Sequence, residues 1–296
     1  TSQNWNACHN AGEVMKIAII GSGIAGNVAA YKLGQAHDIT VFESGSYVGG
    51  HTNTVDVYED DRSIAVDTGF IVFNQRTYPN FIELLNELGV GWKDSDMSFS
   101  VRHEITGLEY KGSTLNTLFA QRSNLLRPSF YRMLADILRF NRTALPSTEH
   151  LGADDTLGEF LFDNGYSHEF VDHYLVPMAA AIWSAEPGSI LEMPVSFLVR
   201  FFANHGLLSV NDQPQWRVIK GGSRQYVSRL VAGHRDRIRL NSPVQSVRRI
   251  DDRIEIESAS GGREMFDYVF LACHSDQALA MLKVATRIVR VKIINI

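Results

Sequence analysis

The chain has 296 residues, 45% of them hydrophobic and 21% charged, with a formal net charge of -5 at pH 7, which suits one large globular domain or two interleaved ones. The acidic balance excludes the basic face that a nucleic-acid partner requires. Cys8 and Cys273 lie far apart in unrelated contexts, which excludes a disulfide framework or a cysteine metal site and suits a reducing, cytoplasmic setting.

No apolar run approaches the ~18 residues that span a bilayer, and the polar start has no signal-peptide core. Residues 1–14 read as an appended or upstream-translated tail. The first strand-like run is Lys16–Ile20, a short apolar stretch that stops at Gly21 and suits a parallel strand buried on both faces. Ile24–Leu33 reads as a helix of small and apolar residues, and Asp38–Glu43 as a second, β-branched strand. Strand, turn, helix and strand fit the ~30 residues of a βαβ unit. Thr54–Tyr58 and Ser63–Val66 flank the acidic turn Glu59-Asp60-Asp61, the pattern of a hairpin.

From about Tyr78 to His205 the pattern predicts helices. Phe81–Leu88 ends at Gly89, and Pro128 opens a helix whose apolar face is Phe130, Met133, Leu134, Ile137 and Leu138. Thr156 and Glu159 stand at capping-box spacing, and Ser167 is placed to cap the next helix. After Gly221-Gly222 short strands return at Ile238–Leu240, Val244–Ile250, Arg253–Glu257 and Asp267–Ala272. The expected fold class is α/β: a discontinuous Rossmann-type dinucleotide-binding domain (15–75 and 215–283), interrupted by a mainly helical substrate domain (76–214). An atypical end follows over 284–296.

Gly21-Ser22-Gly23-Ile24-Ala25-Gly26 is a G-x-G-x-x-G directly after a buried strand and at a helix start. Gly21 permits the tight turn, Gly23 lets the backbone approach a pyrophosphate, Gly26 lets helix pack on strand, and the helix start supplies amide donors. Such a turn also arises for structural reasons alone. Glu43 ends the second strand 22 residues after Gly21, where a carboxylate accepts hydrogen bonds from a ribose diol and disfavours a 2′-phosphate. A structural turn with a surface Glu is the alternative. Gly49-Gly50-His51-Thr52 follows, and a second glycine pair there serves the pyrophosphate and ribityl of an extended flavin cofactor; a nicotinamide unit has no such need.

At these residues the chain resembles the flavin-containing amine oxidase superfamily, with its relatives the phytoene desaturases, protoporphyrinogen oxidases and UDP-galactopyranose mutases. Asp67-Thr68-Gly69-Phe70, Tyr78-Pro79-Asn80, Met97-Ser98-Phe99 and Lys220-Gly221-Gly222-Ser223 are similar to a bacterial branch described only as NAD/FAD-binding or amine-oxidase-like. The resemblance runs from about Met15 to Leu282. It implies an FAD-binding domain with Gly21, Gly23, Ala25 and Gly26 at the pyrophosphate and Glu43 at the adenosine ribose. Gly50, His51 and Thr52 would lie along the stretch toward the flavin, and the backbone of Val244 at the adenine; an inward strand residue is the alternative for Val244. Two departures stand out. His51 occupies a position where many amine oxidases have Arg, and the resemblance implies a further segment over the flavin pyrophosphate beyond Ile296. Val284–Ile296 has no acidic residue and breaks the preceding pattern, as a frameshifted or prematurely terminated end or a final edge strand would. On the first reading, flavin binding is expected to be weak or substoichiometric.

Flavin itself supplies the redox chemistry, so no separate catalytic constellation is demanded, and none is visible. Pro177–Ser184 (PMAAAIWS) puts small residues beside a Trp and reads as a contact for a flat ring or as tight helix packing, and Trp216-Arg217 as a cavity wall. His168 and His173 read as helix-surface residues. Lys111, Arg122, Arg127, Arg132, Arg139 and Arg142 stand against Asp136 alone between 111 and 142, which suits either peripheral contact with an anionic membrane or a solvated face with an Arg132–Asp136 pair. The expected function is an FAD-dependent oxidoreductase taking a hydride from a C–N or C–C bond of a largely apolar small molecule. The alternatives are a non-redox flavin isomerase or mutase, and a truncated remnant that binds cofactor weakly without catalysis.

Overall fold

In the computed structural model, which describes residues 13–112, 114–152, 154–183, 185–209 and 214–283, Lys16–Ile20 is an inner strand of a four-stranded parallel sheet. The order across the sheet is Tyr268–Leu271, Lys16–Ile20, Asp38–Phe42, Ile238–Arg239. Both faces of the first strand are covered, which is why its sequence is continuously apolar. Ile17 and Ile19 pack with Ala30 of the helix Ile24–Leu33, while Ala18 and Ile20 pack with Val247, Ile256 and Phe266. Those three belong to an antiparallel meander of Val244–Ile250, Arg253–Ser258 and Arg263–Phe266. The hairpin Thr54–Glu59/Arg62–Asp67 turns at Asp60 and Asp61, both at positive φ (46° and 61°), where a short acidic side chain tolerates the left-handed region.

The chain forms two units: one of the described residues up to Ile71, Asn80–Lys93 and Val218 onward, the other of Val72–Pro79 and Asp94–Arg217. The second unit is mainly helical, but it also contains strands where the sequence pattern predicts none. Ser100–His103 and Leu108–Lys111 pair antiparallel. They alternate at period two, with Val101, Leu108 and Tyr110 buried against Phe130 and Met133, a register that a helical reading of 78–205 passes over.

The helix Pro128–Ser147 corrects the expected apolar face. Phe130, Met133, Asp136, Phe140 and Ala144 are buried, whereas Leu138 is 60% exposed. Asp136 is the polar member of that face. Its carboxylate accepts from the Ser167 amide at 2.9 Å and the Ser167 hydroxyl at 2.6 Å, and meets Arg139, three residues on, at 2.8 Å. The expected Arg132–Asp136 pair is replaced by Arg132–Glu169 at 3.4 Å. Arg139 also donates to the Asn164 and Gly165 carbonyls and lies 3.9 Å over the Tyr166 ring, and Arg122 donates to Asn116. Three of the basic residues between 111 and 142 are thus held in local contacts. Among the described residues, no helix is long and apolar enough to cross a membrane. The caps form as their sequence signatures indicate: Thr156 and Glu159 make a reciprocal capping box, and the Ser167 hydroxyl accepts from Phe170.

Because Asp136 fastens the Ser167 turn and pairs with Arg139 from a buried position, Asp136→Ala is expected to destabilise the protein by about 2–4 kcal/mol. Leu138→Ala, at the position the sequence assigns to the core, should change stability by no more than about 0.5 kcal/mol. Urea unfolding of the two variants checks this; a larger loss at Leu138 than at Asp136 would mean the helix face is wrongly drawn.

Candidate cofactor site

The candidate site is built on the carboxyl ends of the parallel strands. Gly21 leaves the first strand at φ +104°, a conformation that L side chains rarely adopt, and a Cβ there would stand 2.4 Å from the Ala272 carbonyl oxygen. A Cβ on Gly26 would meet the Gly21 oxygen at 1.9 Å, so the helix packs on its own entry turn and only glycine fits. Gly23 is different. Its φ of -68° and ψ of -174° are open to any residue, and a Cβ added to it meets nothing within 4 Å. It is also the N-cap of the ten-residue helix Ile24–Leu33, and no side chain caps that end, so the first helical amides lack a side-chain acceptor. Neither backbone nor packing asks for glycine at 23. An open cradle over an uncapped helix start fits the diphosphate of a dinucleotide. Ala25 lies exposed in the first turn of the same helix.

The second glycine pair is seated on the first. The Gly49 amide donates to the Ser22 carbonyl at 3.0 Å, and a Cβ on Gly50, at φ +60°, would lie 3.0 Å from the Gly23 Cα. Gly69 is confined in turn, since a Cβ there would lie 1.8 Å from the His51 oxygen. His51 is exposed, while Thr52 is buried with its hydroxyl 2.5 Å from the Tyr226 hydroxyl. The Thr52 side chain therefore turns inward, and a cofactor contact at this residue falls to its backbone. The two motifs Asp67–Phe70 and Lys220–Ser223 meet directly: the Ser223 amide donates to the Asp67 carboxylate at 2.9 Å and its hydroxyl to the Phe70 carbonyl at 3.2 Å.

Glu43 sits at the end of its strand as expected, but its carboxylate is already engaged. One oxygen accepts from the Ser22 amide at 2.9 Å and the Ser22 hydroxyl at 2.5 Å; the other accepts from the Gly45 amide at 2.7 Å and the Ser44 hydroxyl at 3.3 Å. Partial burial pushes this carboxyl up, but the bonds from Ser22, Gly45 and Ser44 outweigh it and hold it below the ordinary range. Val244 opens the meander half-buried, two residues after Ser242, whose amide donates to the Glu43 carbonyl at 2.8 Å. Gly21, Gly23, Ala25, Gly26, Glu43, Gly50, His51, Thr52 and Val244 all fall within one unit.

The remaining sequence candidates lie in the other unit. Met178 and Ala179 are core residues of the helix Val176–Trp183, and Trp183 packs on Phe201 at 4.7 Å, so this run is tight packing; Ser184 lies outside the described residues, as do Cys8 and Val284–Ile296. Trp216 is buried and stacks toward His205. His168 is exposed as expected. His173 is half-buried: it sits in a π-helical turn, its ring centroid 4.5 Å from that of His103, and burial followed by the neighbouring His103 lowers its pKa. Sequence reasoning also missed His274, whose ring lies 5.7 Å from that of His51. Its signal was position, three residues beyond the strand Tyr268–Leu271.

Residues 24–289 match the family described as flavin containing amine oxidoreductase. The chain is 34% identical over 82 residues to zeta-carotene desaturase of Solanum lycopersicum, a stretch covering 27% of this chain and 13% of that protein. Among solved structures it is similar to cyclohexylamine oxidase from Brevibacterium oxydans IH-35A, with TM-score 0.70 and 19% identity over 95% of this chain and 62% of the other. It is also similar to the CLA-producing fatty acid isomerase from P. acnes, with TM-score 0.62 and 19% identity over 94% and 63%. The chain thus spans about an eighth of the desaturase and about three fifths of the two solved chains. At such identities the structural likeness is one of fold.

The Glu43 carboxyl titrates lower in the folded chain than in the unfolded one, where its pKa is about 4.3. Its contribution to stability is therefore present above that value and lost as the pH falls through it toward the lower folded value. Glu43→Gln is expected to be less stable than the parent by about 1 kcal/mol at pH 7, with solvent screening included, and the gap should close under acid. Thermal melts of both proteins between pH 7 and pH 3 check it; a gap that widens on acidification would reverse the assignment.

Proposed function

Because the chain belongs to the flavin containing amine oxidoreductase family, we propose that it is an FAD-dependent oxidoreductase acting on a largely apolar small molecule, with the hydride taken from a C–N or C–C bond. FAD is the cofactor, and when bound it supplies the hydride acceptor. The chain's own part is to hold it. Helix Ile24–Leu33 presents its uncapped start to a diphosphate, Gly23 leaves the approach open, Glu43 offers acceptors to the ribose, and the backbone at Val244 borders the adenine. We assign the mainly helical unit to the substrate. Its exposed apolar side chains, Leu126, Phe162 and Phe197 among them, support an apolar ligand.

The observation that carries this reading is Gly23, a glycine that neither the backbone nor the packing requires. FAD titrated into the protein should bind saturably, read by flavin fluorescence and absorbance at about 450 nm. Gly23→Ala should melt within about 1 kcal/mol of the parent yet lose at least tenfold in FAD affinity, because a methyl group would fill the approach to the helix start. Equal affinity in the two proteins would remove Gly23 from the site. Candidate amines and unsaturated apolar compounds can then be screened without oxygen for bleaching of the bound flavin. Conversion of a substrate with no bleaching would favour the non-redox alternative that the likeness to a fatty acid isomerase raises.

A further inference from the structure

We propose that His274 and His51 together form the cationic clamp for the cofactor diphosphate, with His274 as its second arm. This rests on the FAD reading above. Three segments close on the glycine turn: Gly21–Tyr31 itself, Ser44–Asn53 and Ala272–Leu282. None of them contains an Arg or a Lys, so the basic side chains these three segments supply to a ligand group with two negative charges are these two histidines. They reach the turn from opposite sides. His51 follows Gly50, whose Cβ position lies 3.0 Å from the Gly23 Cα, and His274 follows Cys273, whose amide nitrogen lies 3.4 Å from the Cβ position of Gly21.

Their rings stand 5.7 Å apart between centroids and are tilted by 30°. Both side chains are exposed, and among the described residues neither ring has a hydrogen-bond partner. Two imidazolium rings so close repel each other. Charge-assisted hydrogen bonds of about 2.8 Å from each ring to one phosphate group span such a gap and remove the repulsion. His274 is a binding residue in this scheme and takes no part in bond making.

The test compares His51→Ala, His274→Ala and the double variant with the parent, using FAD, ADP and adenosine as probes, the last two by displacement of FAD. Each single variant should lose about three- to tenfold in affinity for FAD and ADP and nothing for adenosine, which lacks the diphosphate. His274→Arg should keep parent-like affinity, and melting without nucleotide should be unchanged, since both side chains are exposed. Three results overturn the clamp: parent affinity for ADP in both single variants, an equal loss for adenosine, or a fall in melting temperature that accounts for the loss. The first of these, with FAD still bound by the parent and lost in Gly23→Ala, would leave the cofactor reading standing. A parent that binds neither FAD nor ADP would end both.

Discussion

Glu43 is tied into the structure by both its peptide and its side chain, and the other parts of the cofactor unit are arranged around it. Its amide donates to the Arg239 carbonyl at 2.9 Å and its carbonyl accepts from Ser242 at 2.8 Å, which joins the first third of the chain to the last. Its carboxylate reaches back to Ser22 and forward to Gly45, which sets the glycine turn against the strand end. An acid at this position is usually read as a ligand group. Here it is equally the fastener of the turn that would carry the ligand, because a partly buried carboxylate collects amide donors that would otherwise go unpaired.

The glycines around that turn divide by cause. Gly21, Gly26 and Gly69 are demanded by the chain itself, since a Cβ on each would fall within 2.4 Å of a carbonyl oxygen. Gly50 is demanded by its positive φ. Gly23 answers to neither cause: its φ is negative and an added Cβ meets nothing within 4 Å. Within the glycine motif itself, Gly21 and Gly26 are therefore explained by the fold, and Gly23 is not.

The helical unit follows different physics. Its polar interior is only partly paired: Asp136 is met by Ser167 and Arg139 and Tyr110 donates to the carbonyl of His173 at 2.7 Å, while Asn124 Oδ1, Arg139 Nε and His173 Nδ1 are buried without a hydrogen-bond partner. Burial pushes Tyr174 up to about 12, and the apolar surroundings responsible come from rings in close contact, including Phe99 and Phe170. A large aromatic share in a mainly helical body supplies rigid apolar surface at low conformational cost.

The βαβ unit was legible in the sequence because its signals are local. Four apolar residues stopping at a glycine, a helix of small residues and a β-branched run each report their own conformation, and strands Lys16–Ile20 and Asp38–Phe42 lie where that pattern puts them. Caps at Thr156 and Ser167 are local in the same way. Three things were not legible. The inward turn of Asp136 in place of Leu138 depends on what Ser167 offers from another segment. The commitment of the Thr52 hydroxyl to Tyr226 depends on a helix 174 residues away. The meeting of His51 and His274 depends on a strand from the end of the chain lying beside one from its beginning. Hydrophobic period and turn chemistry are properties of neighbours in sequence and can be read there; a partner supplied across the sheet is a property of the packed chain, so only the tertiary structure decides which side chains face the cofactor and which are used to hold the fold.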